Sequence, residues 1–590
     1  MVLPGPRGVS MFRNLSGRAW TAVVCVGLAV LVAAVSARGP VPSQTEARRA
    51  AAVAGADTGE GDGCTIISAG RLATADGSVI TSQSDACSEC RIHVVPGQVH
   101  PPGAKAPVHW GLIYYGRDDP RGGRALGDYG EVIGDIPQVP RTYTYFHTGY
   151  SLINEHQVAI AESTCSQRRD LDVPYIEGVT EQIITVEQAQ VFALQRSRTA
   201  REALAVITSL VDRYGFLPST GGAEALSIAD PDEVWVLEIF AVGTEWKRGS
   251  AAPGAIWAAK RVPDGHVTVI PNYVRIREVD LSDPGTLASS NYRQAAIDRG
   301  WFDPASGRPF IWQEAYAPPI TEGSLNRLWL VHSTLAPSLK DWPNRKLAGT
   351  ANSGTMSRQA IEGAAFYPFS FKPERPVSVR DVIALQRSTF EGTVYDMTAD
   401  PAWMVPDGQG GGQRSVLATP FPSADLRDLL RVASHRTIAQ HGYGMVAQLR
   451  SWLPHPIGGV LWFYVDNPYV STYVPIYAGV TSTSALYQTY DARQFSEGSA
   501  RWAVDFVDNL MHLKWQAAVK DLRAVRDPIE QEFFDTQAEV ERRALDLHRR
   551  APREAAAYLT ELTNTRMERV VAMYRDLRAQ LVTKYTNSGY

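Results

Sequence analysis

Cysteine is scarce in this chain, with five in 590 residues, too few for the disulfide framework that replaces a core in small secreted domains. A basic excess is also missing. With 58 Lys+Arg against 62 Asp+Glu, the net charge is −4, which argues against a broad nucleic-acid surface. No H-E-x-x-H pair offers a zinc site, and no G-x-S-x-G turn offers a serine nucleophile. The glycines around Gly408 lack the Lys-Ser/Thr of a phosphate loop, and no repeat of solenoid length is present. What is there is an ordinary globular composition, 44% hydrophobic and 20% charged, so burial must hold the fold. Disorder throughout, a collagenous repeat and a polytopic membrane protein are excluded.

Arg7, Arg13 and Arg18 precede an uncharged run, Trp20–Ala37, with small residues at Ser36 and Ala37. A basic flank and an apolar stretch ending in small residues make residues 1–37 a secretory signal peptide. The run is barely long enough to span a bilayer, and an uncleaved single-span anchor is the alternative. Both readings predict an exported protein, periplasmic, extracellular or membrane-anchored. Residues 38–63 are rich in Ala, Gly and acids without periodicity, the composition of a disordered leader.

At Cys64 the pattern changes. Cys64-Thr-Ile-Ile-Ser-Ala-Gly predicts a strand, Ala75-Asp-Gly a turn, and Ser78-Val-Ile-Thr-Ser-Gln-Ser a returning strand. Thr185-Val-Glu-Gln and Thr199-Ala-Arg-Glu predict two helix starts, with a stop at Gly215 and an apolar face of Leu204, Ile207, Val211 and Tyr214. Strand pairs are expected at 226–230 with 234–240 and at 256–261 with 266–270, and a loop over Pro401–Arg414. From about Glu497 onward the sequence reads as helix, with Trp502, Phe506 and Leu510 at helical spacing. The expected division is a catalytic body over 64–496 and a helical C-terminal region over 497–590.

Cys87-Ser-Glu-Cys90 has redox or metal spacing, but no second pair completes a four-cysteine site. In an exported chain, a disulfide among Cys87, Cys90 and Cys165 is the favoured reading over a metal. Cys64 stands apart. A cysteine opening a strand after a Gly-rich leader can become an N-terminal nucleophile once the leader is removed. Its α-amine, with an ordinary pKa of about 7.7–8.0, then lies on the same residue as a thiol near ~8.5, and can take the thiol proton without a histidine. Gly63 suits the cleavage, because a residue without a side chain tolerates strained geometry.

Further segments carry a resemblance: Asn154-Glu-His-Gln-Val-Ala-Ile-Ala-Glu-Ser-Thr, Arg198-Thr-Ala-Arg-Glu-Ala-Leu, Leu226-Ser-Ile-Ala-Asp with Glu233-Val-Trp-Val-Leu-Glu-Ile, and Ile270-Pro-Asn-Tyr-Val-Arg-Ile. Later come Glu391-Gly-Thr-Val-Tyr-Asp-Met-Thr and Ile457-Gly-Gly-Val-Leu-Trp-Phe with Tyr473-Val-Pro-Ile-Tyr-Ala-Gly. With the segment at Cys64, these resemble, in order, the dipeptidase A family of cysteine peptidases in the N-terminal nucleophile hydrolase superfamily. The resemblance implies an α+β protein with a four-layer αββα body. It also implies hydrolysis of dipeptides and short peptides through a thioester on Cys64, with no metal or organic cofactor.

The supporting residues follow from the same resemblance. Related hydrolases place an acid about twenty residues after the nucleophile, and Asp85 follows Cys64 by 21. With a hairpin loop over Ala73–Gly77, Cys64 lies opposite Ala86 with Asp85 adjacent; with a loop of Asp76-Gly77 alone, Glu89 takes that place. A solvated strand-end carboxylate is the other reading of Asp85. Relatives carry Arg-Asn-Glu before the acid where this chain has Ser82-Gln83-Ser84, so carboxylate binding by that arginine is in doubt. Asn272 and Arg275 are the candidates for substrate binding, Arg275 by a bidentate pair with a substrate carboxylate or else as a surface ion pair. Asn154, or the backbone near Thr164, could donate to the oxyanion, though Asn154 could equally cap a turn. Rival functions are an amide acylase of the same fold and an inactive secreted or membrane-tethered binding protein.

Overall fold

The computed structural model describes residues 64–86, 89–110, 129–220, 222–339, 367–432, 435, 437–439 and 442–586. The apolar run Trp20–Ala37, the leader, Gly63 and Cys87 lie outside the described residues. No helix among the described residues is long and apolar enough to cross a membrane.

Strand β1 (Thr65–Ala69) and strand β2 (Val79–Asp85) form an antiparallel hairpin. β-Branched residues at Thr65, Ile66, Ile67, Val79, Ile80 and Thr81 favour the extended chain. The turn between them is closed by Asp76, whose Oδ1 accepts from Ser78 N at 3.1 Å, and by Gly77 in the left-handed region. The register pairs Thr65 with Ser84, which carries Cys64 opposite Asp85. This differs by one residue from the loop expected over Ala73–Gly77. The difference matters because a one-residue slip turns every side chain to the other face. In the observed register Asp85 and Cys64 share a face.

Apart from two small two-stranded sheets formed by His93–Val95 with Tyr145–His147 and Lys105–Trp110 with Glu131–Pro137, the next strands are β3 (Ala159–Cys165), β4 (Ala223–Ala229), β5 (Val234–Phe240), β6 (Ile256–Val262) and β7 (Val267–Ile270). Strand β8 (Thr286–Ala288) follows, and then β9 (Gly442–Leu449), β10 (Val460–Asp466) and β11 (Val474–Tyr477). One six-stranded antiparallel sheet runs β7-β1-β2-β9-β10-β11, and one five-stranded sheet runs β8-β6-β5-β4-β3. Residues 256–262 and 267–270, expected as a hairpin, instead enter different sheets, β6 pairing with β5 and β8 while β7 pairs with β1. The turn at Asp264-Gly265 therefore passes the chain from one sheet to the other. The expected loop at Pro401–Arg414 also contains a short hairpin, Met404–Pro406 against Gly412–Arg414.

The two large sheets meet through small hydroxyl side chains. Ser227 on β4 lies 2.8 Å from Ser68 on β1 and 3.0 Å from Thr81 on β2. Small residues let the backbones approach, and mutual hydrogen bonds satisfy the buried hydroxyls. Helices α1 (Val186–Arg196) and α2 (Ala200–Tyr214) begin at Thr185 and Thr199, whose side chains accept from Gln188 N and Glu202 N as expected. Helix α2 packs on β4 and β5 with Leu204, Ile207 and Val211 buried.

Helix α3 (Glu322–Leu335) contacts β7, and α4 (Val379–Gln386) contacts β2 and β9. The C-terminal region is α5 (Ala500–Met511), α6 (Trp515–Arg550) and α7 (Pro552–Tyr585). These helices join the main core, with Trp462 of β10 stacked on Phe534 of α6 at 3.9 Å between ring centroids. Trp502, Phe506 and Leu510 lie on α5 as their spacing predicts, and the buried face of that helix is Ala503, Val504, Val507 and Met511. Trp502 and Phe506 instead form a partly exposed aromatic group with Phe495.

Candidate active site

Cys64 immediately precedes β1 and is buried where the two sheets face each other. Its Sγ lies 3.7 Å from Asp85 Oδ1 and 3.6 Å from Glu162 Oε2, each within reach of a thiol donor. Asp85 comes from the neighbouring strand β2, and Glu162 from β3 of the facing sheet. Pairing with β9 fixes the Asp85 backbone. Gly442 there is obligatory, because a Cβ at that position would fall 1.9 Å from the Asp85 carbonyl oxygen.

Gln83 joins the two acids. Its Nε2 donates to Asp85 Oδ2 at 2.9 Å, and its Oε1 accepts the backbone N–H of Glu162 at 2.9 Å. Glu162 Oε1 in turn accepts from Thr164 Oγ1 at 2.9 Å. All these groups are buried. The result is a hydrogen-bonded chain crossing from one sheet to the other beside the sulfur. A satisfied buried polar network of this kind holds its members in one geometry.

A second set of contacts holds the Cys64 backbone. Arg327 of α3 is fully buried, and its Nη1 donates to the Cys64 carbonyl and to Thr65 Oγ1, both at 2.7 Å. The same nitrogen reaches Asn272 Oδ1 at 3.0 Å, while Nη2 donates to Pro271 O at 2.9 Å. Asn272 is left-handed at φ 54°, a conformation asparagine tolerates better than most residues. Its Nδ2 donates to Thr164 O at 2.8 Å, and its backbone N–H to Ser163 Oγ at 3.0 Å. Asn272 and Arg327 thus tie the start of β1 to the end of β3.

Two expected site residues go elsewhere. Asn154 Nδ2 donates to Leu194 O and Ser197 O, both at 2.8 Å, and its Oδ1 accepts from His156 N and Val158 N. Its amide is committed to a turn and to the end of α1, which is the capping role rather than the oxyanion role. Arg275 is neither a surface ion pair nor placed among the groups around Cys64. It is buried, with Nη2 donating to Tyr367 O at 2.9 Å and Pro368 O at 2.8 Å, and burial pushes it down to about 10. Its backbone N–H and that of Ile276 donate to Glu238 Oε1, and Glu238 is itself raised to about 7 by burial.

Glu89 pairs with Arg91 rather than facing Cys64. Cys90 and Cys165 are buried thiols, not disulfide partners. Burial raises Cys90 to about 12 and Cys165 well above the usual thiol range.

The surroundings of Cys64 are acidic. Burial raises Tyr150 far above an ordinary phenol, and the carboxylates of Glu162, Glu224, Asp85 and Glu187 add to the effect. Glu187, hydrogen-bonded by Ser219 Oγ at 2.8 Å, is raised by burial to about 7. The two carboxylates within 3.7 Å of the sulfur favour a cation beside it over a second anion, in addition to the Arg327 guanidinium at the Cys64 carbonyl. One sulfur and two carboxylate oxygens, from Cys64, Asp85 and Glu162, lie within 4.8 Å of one another, which is also a spacing that metal ligands use.

The Peptidase family C69 model matches residues 63–527. The chain belongs to this family. The match begins one residue before Cys64 and extends through both sheets into α6. Among curated proteins, the chain is similar to a probable dipeptidase B of Streptococcus pyogenes serotype M1, 23% identical over 385 residues, or 64% of this chain and 65% of that one. It therefore spans just under two thirds of that relative's length. A probable dipeptidase B of Lactococcus lactis subsp. lactis (strain IL1403) is 24% identical over 446 residues, covering 72% and 76%. Dipeptidase A of Lactobacillus helveticus is 22% identical over 438 residues, covering 72% and 77%.

Glu162, Gln83 and Arg327 were not singled out from the sequence. Glu162 and Thr164 alternate within a buried strand, and a carboxylate there was a signal in itself. Gln83 sits inside the triplet that departs from the relatives' pattern. Arg327 is a charge in an apolar stretch, Leu325-Asn-Arg-Leu-Trp-Leu-Val, where helical periodicity placed it toward the core.

Proposed function

We propose that this member of peptidase family C69 is an exported cysteine dipeptidase whose nucleophile is Cys64 at the N-terminus of a processed chain. The observation that carries the reading is the position of Cys64, next to the start of β1 with the carboxylates of Asp85 and Glu162 at 3.7 and 3.6 Å. Removal of residues 1–63 would give Cys64 an α-ammonium group, the kind of cation these acids favour. In its neutral form that amine takes the thiol proton as sulfur attacks the peptide carbonyl. The amine then passes the proton to the departing amino group, leaving a thioester on Cys64. Water attacks the thioester, releases the acid and restores the thiol.

Arg327 and Asn272 position Cys64 through its carbonyl. The two sheets in contact, with helices packed on each, support a four-layer N-terminal nucleophile hydrolase body. The division at residues 63 and 497 and the export signal over residues 1–37 belong to the same proposal. The relatives' names support dipeptides as the substrate class.

Cys64→Ala tests the nucleophile: dipeptide hydrolysis should disappear from a protein that keeps the wild-type circular dichroism spectrum. Retained activity would overturn the assignment. A second reading, in which Cys64, Asp85 and Glu162 hold a metal ion, rests on their 4.8 Å grouping. It predicts loss of hydrolysis on exhaustive chelation and recovery on metal addition, whereas the thioester mechanism predicts no change.

A further inference from the structure

A cavity of about 500 Å³ lies between α4 and α6, lined by side chains outside the Cys64 site. Its charged lining is four arginines, Arg380, Arg387, Arg523 and Arg526, with three carboxylates, Glu391, Asp527 and Glu530. Two of these arginines have close acidic partners. Arg387 forms a bidentate pair with Glu530, at 2.8 and 2.7 Å, and also donates to Pro468 O and Ser471 O. Arg526 pairs with Asp527 and donates to the Tyr469 carbonyl.

Arg380 and Arg523 differ from them. Arg380 donates to Gln531 Oε1 at 2.6 Å, and its nearest carboxylate, on Asp535, is 3.9 Å away. Arg523 donates to Tyr469 Oη at 3.2 Å, and Glu391 lies 3.8 Å off. A guanidinium carries five N–H donors in a planar fork, and each of these two makes one hydrogen bond among the described residues. Both side chains are about half exposed, at 48% and 49%. They stand toward opposite ends of the cavity, since Gln531 and Arg523 are eight residues apart on α6, about 12 Å along a helix.

We propose that this cavity binds a multivalent oxyanion, a polyphosphate or polycarboxylate, with Arg380 and Arg523 each taking one anionic group. The two ends carry forked donors matched to oxyanion geometry. Between them lie Arg387 and Arg526, whose guanidinium groups are already paired with Glu530 and Asp527. A single small anion reaches one end only, so valence and length are the basis of selection. The site is independent of Cys64.

The test is calorimetric titration of the active, processed enzyme with inorganic tripolyphosphate, with citrate and with orthophosphate, each at constant ionic strength set with sodium chloride. The expected result is that tripolyphosphate or citrate binds at least about tenfold more tightly than orthophosphate. Arg380→Ala/Arg523→Ala should weaken that binding by at least about tenfold while leaving dipeptide hydrolysis without added anion unchanged. Stronger binding of tripolyphosphate assigns phosphate as the natural group, and stronger binding of citrate assigns carboxylate. Thermal shifts recorded with and without anion give a second readout that tolerates a lower melting point in the variant. Equal binding by wild type and variant, absence of binding, or a response that follows ionic strength alone would overturn the proposal.

Discussion

Gln83 Nε2 donates to Asp85 Oδ2 at 2.9 Å from two residues away on the same strand, so the side chains of both point into the space between the sheets. The other end of the Gln83 amide holds the backbone of Glu162. One neutral side chain therefore links the Asp85 carboxylate to the Glu162 backbone, while Thr164 Oγ1 holds the Glu162 carboxylate.

Gln83→Leu removes both of these buried hydrogen bonds at similar volume. Stability should fall by about 1–3 kcal/mol, measured by urea denaturation. Misplacement of Asp85 and Glu162 should lower kcat/KM on the order of 10–100-fold. Full activity in the folded variant would show that the bridge does not position the site.

Arg275 is now expected to be structural. Arg275→Ala removes buried bonds to Tyr367 O and Pro368 O and should cost about 1–3 kcal/mol. The ratio of rates for a free dipeptide and its C-terminal amide should be unchanged. A smaller penalty for amidation in the variant would return Arg275 to the role of carboxylate partner.

The hairpin at Cys64, the two capped helices and the helical C-terminal region were legible because each has a local cause. β-Branched runs, Thr N-caps and turn residues act within a few positions of themselves. The exchange of strands between sheets at Asp264-Gly265 was not legible, because a turn signal does not say which partner the next strand finds. Nor was the burial of Arg275, whose partners lie about 90 residues away. Asp85 was singled out through the resemblance to related hydrolases, but its facing Cys64 rests on a one-residue register that the sequence left open. Glu162 comes from a different sheet, and only tertiary packing brings it to the sulfur.

Glu187 gives a pH dependence with a definite sign. Burial raises its folded carboxyl from 4.5 to about 7, so between those values the native state holds a proton that the unfolded state has released. The stabilisation is fully present below about 4.5 and is lost as pH rises through about 7. Glu187→Gln cannot ionise. Its stability relative to wild type should therefore improve between pH 5 and pH 8, by about 1–3 kcal/mol for a change of this size. Chemical denaturation of both proteins at the two pH values measures it. A difference that is constant with pH would place the raised group elsewhere.

Intact-protein and peptide mass spectrometry of the active enzyme, acid-quenched during dipeptide turnover, shows where the chain begins and which residue carries the acyl group. A processed N-terminal nucleophile predicts a chain of Cys64–Tyr590, whose net charge moves from −4 to −6 because residues 1–63 carry six arginines and four acidic residues. It also predicts the acyl half of the substrate bound to the peptide that begins at Cys64. Full activity in a chain that retains residues before Cys64, or an acyl group on a different residue, would contradict it.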